Sequence, residues 1–440
     1  MSMTRAKQHN TWPPAGRREL LAWALYDFAN SGYTTVILTT IYSAYFVGVI
    51  AAPLDQQNAG MATLLWSLAV GLANFTVMLA GPVIGAMADH RASKKTFLLI
   101  SSIGCVLATG LLALVGPGDV WLAMLLVTLS AIMFAGGENL IAAFLPELVP
   151  KENMGRMSGY GWSVGYFGGL LTLGCCLWFI GWGRQQGWPD SEIIPFTLLI
   201  TAAIFALTAL PTFIWLRERA VSQPKTAGIS YVRIGFQRLA HTFRHALHFR
   251  DLFRFLLTLA VYQSGVSTVV VLAAIYAQEV MGFGREELII LIMVVNVTAA
   301  VGAFICGHLQ DRFGSVPTLA ITLVLWIIAI VTAFFANESS QMWLAGNIIG
   351  VAMGASQAVG RALVSQFTPP DRSGEFLGLW GLVNRLSAIV GPVSYGLVNY
   401  LTAGDQRMAL LSTLMFFVVG LLLLARVDEK RGKAAALQAD

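Results

Sequence analysis

The stretch "MATLLWSLAVGLANFTVMLAGPVIGAMA" (61–88) carries no charged side chain from end to end. About 20 apolar residues suffice to cross the hydrocarbon core of a bilayer as an α-helix, and this window exceeds that length. "MSGYGWSVGYFGGLLTLGCCLWFIGWG" (157–183) repeats the pattern further along. Backbone N–H and C=O groups in lipid must find partners within their own segment, so such windows are helices. Composition agrees: of 440 residues, 56% are hydrophobic and only 12% charged, where soluble domains carry about 25% charge. The fold class that follows is all-α integral membrane.

Twelve spans are expected, over 20–50, 61–88, 96–115, 120–145, 157–182, 193–216, 253–278, 288–309, 317–336, 341–365, 376–400 and 407–425. The N-terminal stretch 1–19 is polar and lacks the apolar core of a cleaved signal peptide. Cys105, Cys175, Cys176 and Cys306 all fall in apolar spans, where they read as small packing residues. Loop charges set the expected orientation. With Arg254 counted at the edge of the central linker, 23 of the 28 Lys+Arg lie on the side of the two termini. The opposite side holds only Arg184, Arg285 and Arg407. Such a bias places both termini in the cytoplasm and the protein in the cell (inner) membrane. It also explains the net charge of +5 without a nucleic-acid partner.

The longest non-spanning stretch, 217–252, divides the spans into blocks 20–216 and 253–425, with a tail at 426–440. The blocks share landmarks. "GAMADHR" (85–91) ends span 2 as "GHLQDRFG" (307–314) ends span 8, and "VPKENMGRMSGYG" (149–161) corresponds to "TPPDRSGEFLGLWG" (368–381). "SGYTTVIL" (31–38) likewise echoes "SGVSTVVV" (264–271). Matches in register argue for duplication. Within the linker, Phe236, Leu239, Phe243 and Leu247 follow helical spacing opposite Arg238, Arg244 and His245. That pattern fits an amphipathic helix on anionic lipid. His241, His245 and His248 share a face, but no carboxylate or cysteine completes a ligand set. No metal or other cofactor is expected.

Two six-span halves with Gly-x-x-x-Asp after spans 2 and 8 resemble the major facilitator superfamily. "YDFANSGYTT", "NLIAAFLPELVP", "GRMSGYGWSVGYFGG" and "GRALVSQFTPPDRSGEFLGLWG" resemble its branch of autophagy-related vacuolar amino-acid effluxers and their bacterial relatives. The resemblance implies two pseudo-symmetric six-helix bundles (the major facilitator fold) whose spans 1, 4, 7 and 10 line a central cavity. The loop motif departs from the family's: in the first copy Arg91 is displaced from Asp89, and the second keeps Asp311-Arg312 but loses its basic tail. Span 5 lacks the Gly-Pro pair typical of antiporters.

Four charges fall inside spans: Asp27, Glu138, Arg361 and Arg385. Each costs about 2.5–3.5 kcal/mol at the bilayer centre, so each is expected to face a cavity or another charge. Glu138 and Arg361 sit at matching depth on symmetry-related spans, and the resemblance implies that they face each other across the cavity. They read as substrate contact or gate, against a permanent ion pair. Asp27 takes up a proton, contacts an ammonium group or caps the mouth. Arg385, with Asn384, is a carboxylate-binding candidate, or it bonds to carbonyls or acids at the inner interface. Asn30, Tyr33, Asn139, Gln263 and Gln357 are the uncharged polar candidates, and Asn296 reads as a helix–helix contact. Asp89 and Asp311 are placed to meet the N–H groups that start a neighbouring helix. Arg91 and Lys94 are placed to pair with Glu147. With Gly85 and Arg312, these form the expected conformational gate, closed when the opposite side is open.

No Gly-x-x-x-x-Gly-Lys-[Ser/Thr] loop is present, so ATP does not drive the protein directly. The leading expectation is a monomeric secondary transporter, not an enzyme, rocking two halves around a midplane site. Paired acid and guanidinium suit a zwitterion, an amino acid or small peptide, with protons as a candidate coupling ion. Proton-coupled efflux of lipophilic or cationic compounds is the alternative in transport, and a transport-inactive receptor the alternative outside it.

Overall fold

The computed structural model describes residues 15–91, 93–149, 154–219, 249–368 and 373–437, with isolated positions between 237 and 247. The linker histidines 241, 245 and 248 lie outside the described residues. So do Phe236, Arg238, Leu239, the loop centre at 150–153 and the side chains of Asp89, Arg91 and Asp311.

The chain runs through α1 Arg17–Ile50, α2 Met61–Arg91, α3 Lys94–Leu111, α4 Val120–Ala142, α5 Met154–Gln185 and α6 Asp190–Trp215. It continues through α7 Arg250–Met281, α8 Arg285–Phe313, α9 Ser315–Phe335, α10 Ser339–Gln366, α11 Ser373–Leu401 and α12 Gln406–Leu424. A short helix, α13 Glu429–Leu437, follows. Eleven of these helices are long and apolar enough to cross a membrane. The remaining one of the twelve expected, α11, has 29 residues, about 43 Å at 1.5 Å per residue. Asn384, Arg385, Pro392 and Asn399 dilute its hydropathy.

Helix pairing repeats across the chain. In the first half α1 packs on α5 and α6, α3 on α4 and α6, and α2 on α4. In the second half α7 packs on α11 and α12, α9 on α10 and α12, and α8 on α10. Adding six to each number of the first set yields the second, which is the pseudo-symmetry that the repeated motifs point to. Close approach needs glycine at several crossings, of which two illustrate the point. A Cβ on Gly168 of α5 would lie 2.5 Å from the Phe28 carbonyl oxygen of α1, and one on Gly354 of α10 would meet the Ala299 backbone of α8.

The halves meet along α2 and α11, α5 and α8, and α1 and α7. Many of these contacts lie at the end of the bundle opposite the termini, here called the far end. There the Gln278 amide donates to the Ala44 carbonyl (3.3 Å) and the Gln406 amide to the Thr63 hydroxyl (3.0 Å). α1 widens into π-helical turns over Thr34–Thr40 and Phe46–Ile50 as it approaches this contact.

Candidate functional site

The four membrane-depth charges converge where the halves meet. The Arg385 guanidinium on α11 donates to the Glu138 carboxylate on α4, to Asn74 Oδ1 on α2 (3.3 Å) and to Asn139 Oδ1 (3.4 Å). The Glu138 side chain is 47% exposed and that of Arg385 19%. Asp27 on α1 lies in the fields of Glu138 and Arg361. The Arg361 guanidinium on α10 lies 5.4 Å from the centroid of the Trp380 ring and senses Tyr166 of α5. The spacing Asp27-x-x-Asn30 places Asn30 one helical turn on from Asp27. Asn30 is 6% exposed, and neither amide atom has a partner among the described residues. An orphaned buried amide costs about 1–3 kcal/mol.

This differs from the expected pairing. The guanidinium on Glu138 is that of Arg385, because α11 crosses α2 at Asn74 and delivers Arg385 to α4 from the side. Arg361 instead shares the electrostatic neighbourhood of Asp27. Tyr33 stands apart from the cluster. Its hydroxyl bonds Ser130 (2.7 Å) and its ring stacks on Phe134 (4.8 Å), so it is a packing residue inside the first half. Gln263 is 8% exposed and Gln357 half-buried. Asn296 donates to the Ile292 carbonyl of its own helix (2.8 Å) rather than to a neighbouring one.

The expected gate resolves into something else. Lys94 does pair with Glu147 (2.8 Å), but both residues belong to the first half, so the bond cannot lock one half to the other. It is part of a clasp. Glu218, just past α6, accepts from the amides of Lys94 (2.7 Å) and Lys95 (3.2 Å) that begin α3. Beside it Arg219 pairs with Glu19 at the start of α1 (2.6 Å). The second half repeats the device. Glu429, just past α12, accepts from the Val316 amide at the start of α9 (2.9 Å), and Arg431 binds Asp251 at the start of α7 through two bonds of 2.5 and 2.6 Å. Each clasp ties the first, third and sixth helices of its half through carboxylates on helix N-termini. Of the other expected gate residues, Gly85 is half-buried with open space beside it. Arg312 is exposed, with its guanidinium 5.5 Å from the Phe313 ring.

Besides the Arg385–Glu138 pair, ionic contact between the halves lies at the far end. Arg285 of α8 pairs with Asp190 of α6 (2.8 Å) and stacks over Tyr45 of α1 (5.1 Å), while Arg184 of α5 pairs with Glu286 of α8 (2.9 Å). To sequence reading, Arg184 and Arg285 are only exceptions to the charge bias. Their signal is local: each isolated arginine has an acid within a few residues, Asp190 after Arg184 and Glu286 after Arg285. Among the described residues, the ion pairs at the termini end each stay within one half.

Two repeated six-helix bundles with charges gathered at their seam form the architecture of a major facilitator superfamily transporter. Solved structures share it: a mutant of the nucleoside transporter NupG superimposes with a TM-score of 0.71 at 14% identity, covering 93% of this chain and 100% of that one. A D-xylose-proton symporter gives 0.70 at 16% identity, over 94% and 99%. In sequence, the uncharacterized MFS-type transporter YxiO of Bacillus subtilis (strain 168) is 28% identical over 93% of this chain and 94% of its own. Autophagy-related protein 22 of Kluyveromyces lactis is 24% identical over 97% and 96%. Residues 49–437 match the family described as vacuole effluxer Atg22 like, and the chain belongs to that family.

Proposed function

We propose that this transporter carries a small zwitterionic solute, an amino acid or small peptide, by alternating access between its two halves. One observation carries the reading: two carboxylates, Asp27 and Glu138, and two guanidiniums, Arg361 and Arg385, meet at the seam of the halves. A solute carboxylate suits a guanidinium fork, and an ammonium suits Asp27 with the unpartnered Asn30 amide beside it. Arg385 holds Glu138 when the site is empty and exchanges it for the solute carboxylate on loading. The far-end ion pairs are the gate of this state, and the clasps keep each half rigid as it rocks. The basic face is cytoplasmic, in the cell membrane. The family description, a vacuole effluxer, supports movement of a solute across a membrane.

The test is uptake of labelled amino acids and dipeptides into proteoliposomes, with and without a proton gradient. Saturable movement of at least one zwitterion, competed by its unlabelled form, is the expected result. Saturable movement of lipophilic cations, with no competition from any zwitterion, would replace this reading by drug efflux.

A further inference from the structure

The turn from α12 into α13 closes one wall of an open cleft of about 780 Å³, whose other walls are the start of α7 and the α8–α9 turn. That is the size range of small-molecule sites. Its polar side is basic, with Arg254, Arg426 and Lys430, and its apolar side is Phe313, Val316 and Pro317. The acids lining the cleft already have partners within it: Glu429 accepts from Val316 and Lys433, and Asp428 caps the backbone of Arg431 (3.0 Å). Arg254 donates to the Arg426 carbonyl (3.1 Å). The side chains of Arg426 and Lys430 take no partner among the described residues and are exposed. The cleft therefore calls for an anion. Its depth is also telling. The apolar run of α8 gives way in sequence to His308, Gln310, Asp311 and Arg312, and Phe313, 58% exposed, follows them at the polar end of the helix.

We propose that this cleft binds the phosphate of an anionic lipid headgroup between Arg426 and Lys430, with an acyl chain lying along Phe313 and Pro317. The site is built by the second half alone and is separate from the seam charges, so its test does not depend on the transported solute. Full-length protein in detergent is offered equimolar phosphatidylglycerol and phosphatidylcholine, and retained lipid is read by native mass spectrometry. Wild type is expected to prefer phosphatidylglycerol roughly tenfold, and Arg426→Gln with Lys430→Gln to bring retention to parity. Arg426→Lys with Lys430→Arg is expected to keep the preference, which separates charge from misfolding. Equal retention of both lipids by wild type, or an unchanged preference in the Gln variant, overturns the proposal. Displacement of phosphatidylglycerol by an equal concentration of soluble glycerol phosphate also overturns it, because the site would then serve a free phosphate monoester.

Discussion

Arg385 on α11 and Glu138 on α4 form the ion pair that joins the two halves at membrane depth, with the amides of Asn74 and Asn139 on the same guanidinium. The carboxylate is nearly half exposed, so the pair adds little to folding, within ~1 kcal/mol. Its expected worth is in transport. Glu138→Gln or Arg385→Gln should leave thermal stability almost unchanged and lower uptake by roughly tenfold or more, the factor that about 1.4 kcal/mol commands. Glu138→Arg combined with Arg385→Glu should recover part of the loss if pairing is what matters. A melting temperature that falls steeply in the single variants would mark the pair as structural instead.

The far-end gate yields a conformational readout. Arg285–Asp190 and Arg184–Glu286 cross between the halves, and removing two such pairs, each worth up to ~1 kcal/mol, shifts a two-state equilibrium by up to about thirtyfold. Position 278, whose amide bonds the Ala44 carbonyl across the same contact, serves as reporter. A thiol at Gln278→Cys should react faster with a polar maleimide when Arg184→Gln and Arg285→Gln are added. No change in rate would show that apolar packing alone closes this end.

How much of this was legible beforehand follows from the physics of each feature. The spans could be read because lipid tolerates nothing but long apolar helices, and the duplication because its loop motifs recur in register. Asp27, Glu138, Arg361 and Arg385 stood out because a charge among apolar residues is costly. Which acid meets which guanidinium was not legible, since it depends on where α11 crosses α2 and α4. Nor was the partner of Tyr33 legible: its hydroxyl is satisfied inside one half by Ser130, a contact 97 positions away. Glu218 and Arg219 passed as ordinary loop charges because their partners, the amides that begin α3 and the Glu19 carboxylate on α1, belong to distant segments.

Packing between α8 and α10 supplies a stability test. A methyl on Gly354 would run into the Ala299 backbone, and backbone at a helix crossing cannot move aside as a side chain does. Gly354→Ala should therefore destabilise by about 1–3 kcal/mol and Gly354→Val by more. Gly174 of α5 is the control, since a Cβ there meets nothing within 4 Å; Gly174→Ala should be neutral or mildly stabilising. Thermal denaturation in detergent reads both, and equal effects at the two positions would refute the close approach.

The second clasp makes stability depend on pH in a stated direction. Burial by itself pushes the Glu429 carboxyl up, but the Lys433 ammonium and the amides of Val316 and Ser315 outweigh it and hold the group below its ordinary value of 4.5. A carboxyl depressed on folding contributes stability that is fully present above its unfolded value and is lost as pH falls through the folded one. Glu429→Gln should thus cost about 1–2 kcal/mol at pH 7, and that gap should hold down to about pH 5. Below about 4.5 the wild-type melting temperature should descend toward that of Glu429→Gln as the carboxylate takes up its proton. The difference between the two melting temperatures, followed from about pH 7 to about pH 3, isolates this group from the other acids; a gap that widens on acidification would mean that Glu429 is not the clasp on α9.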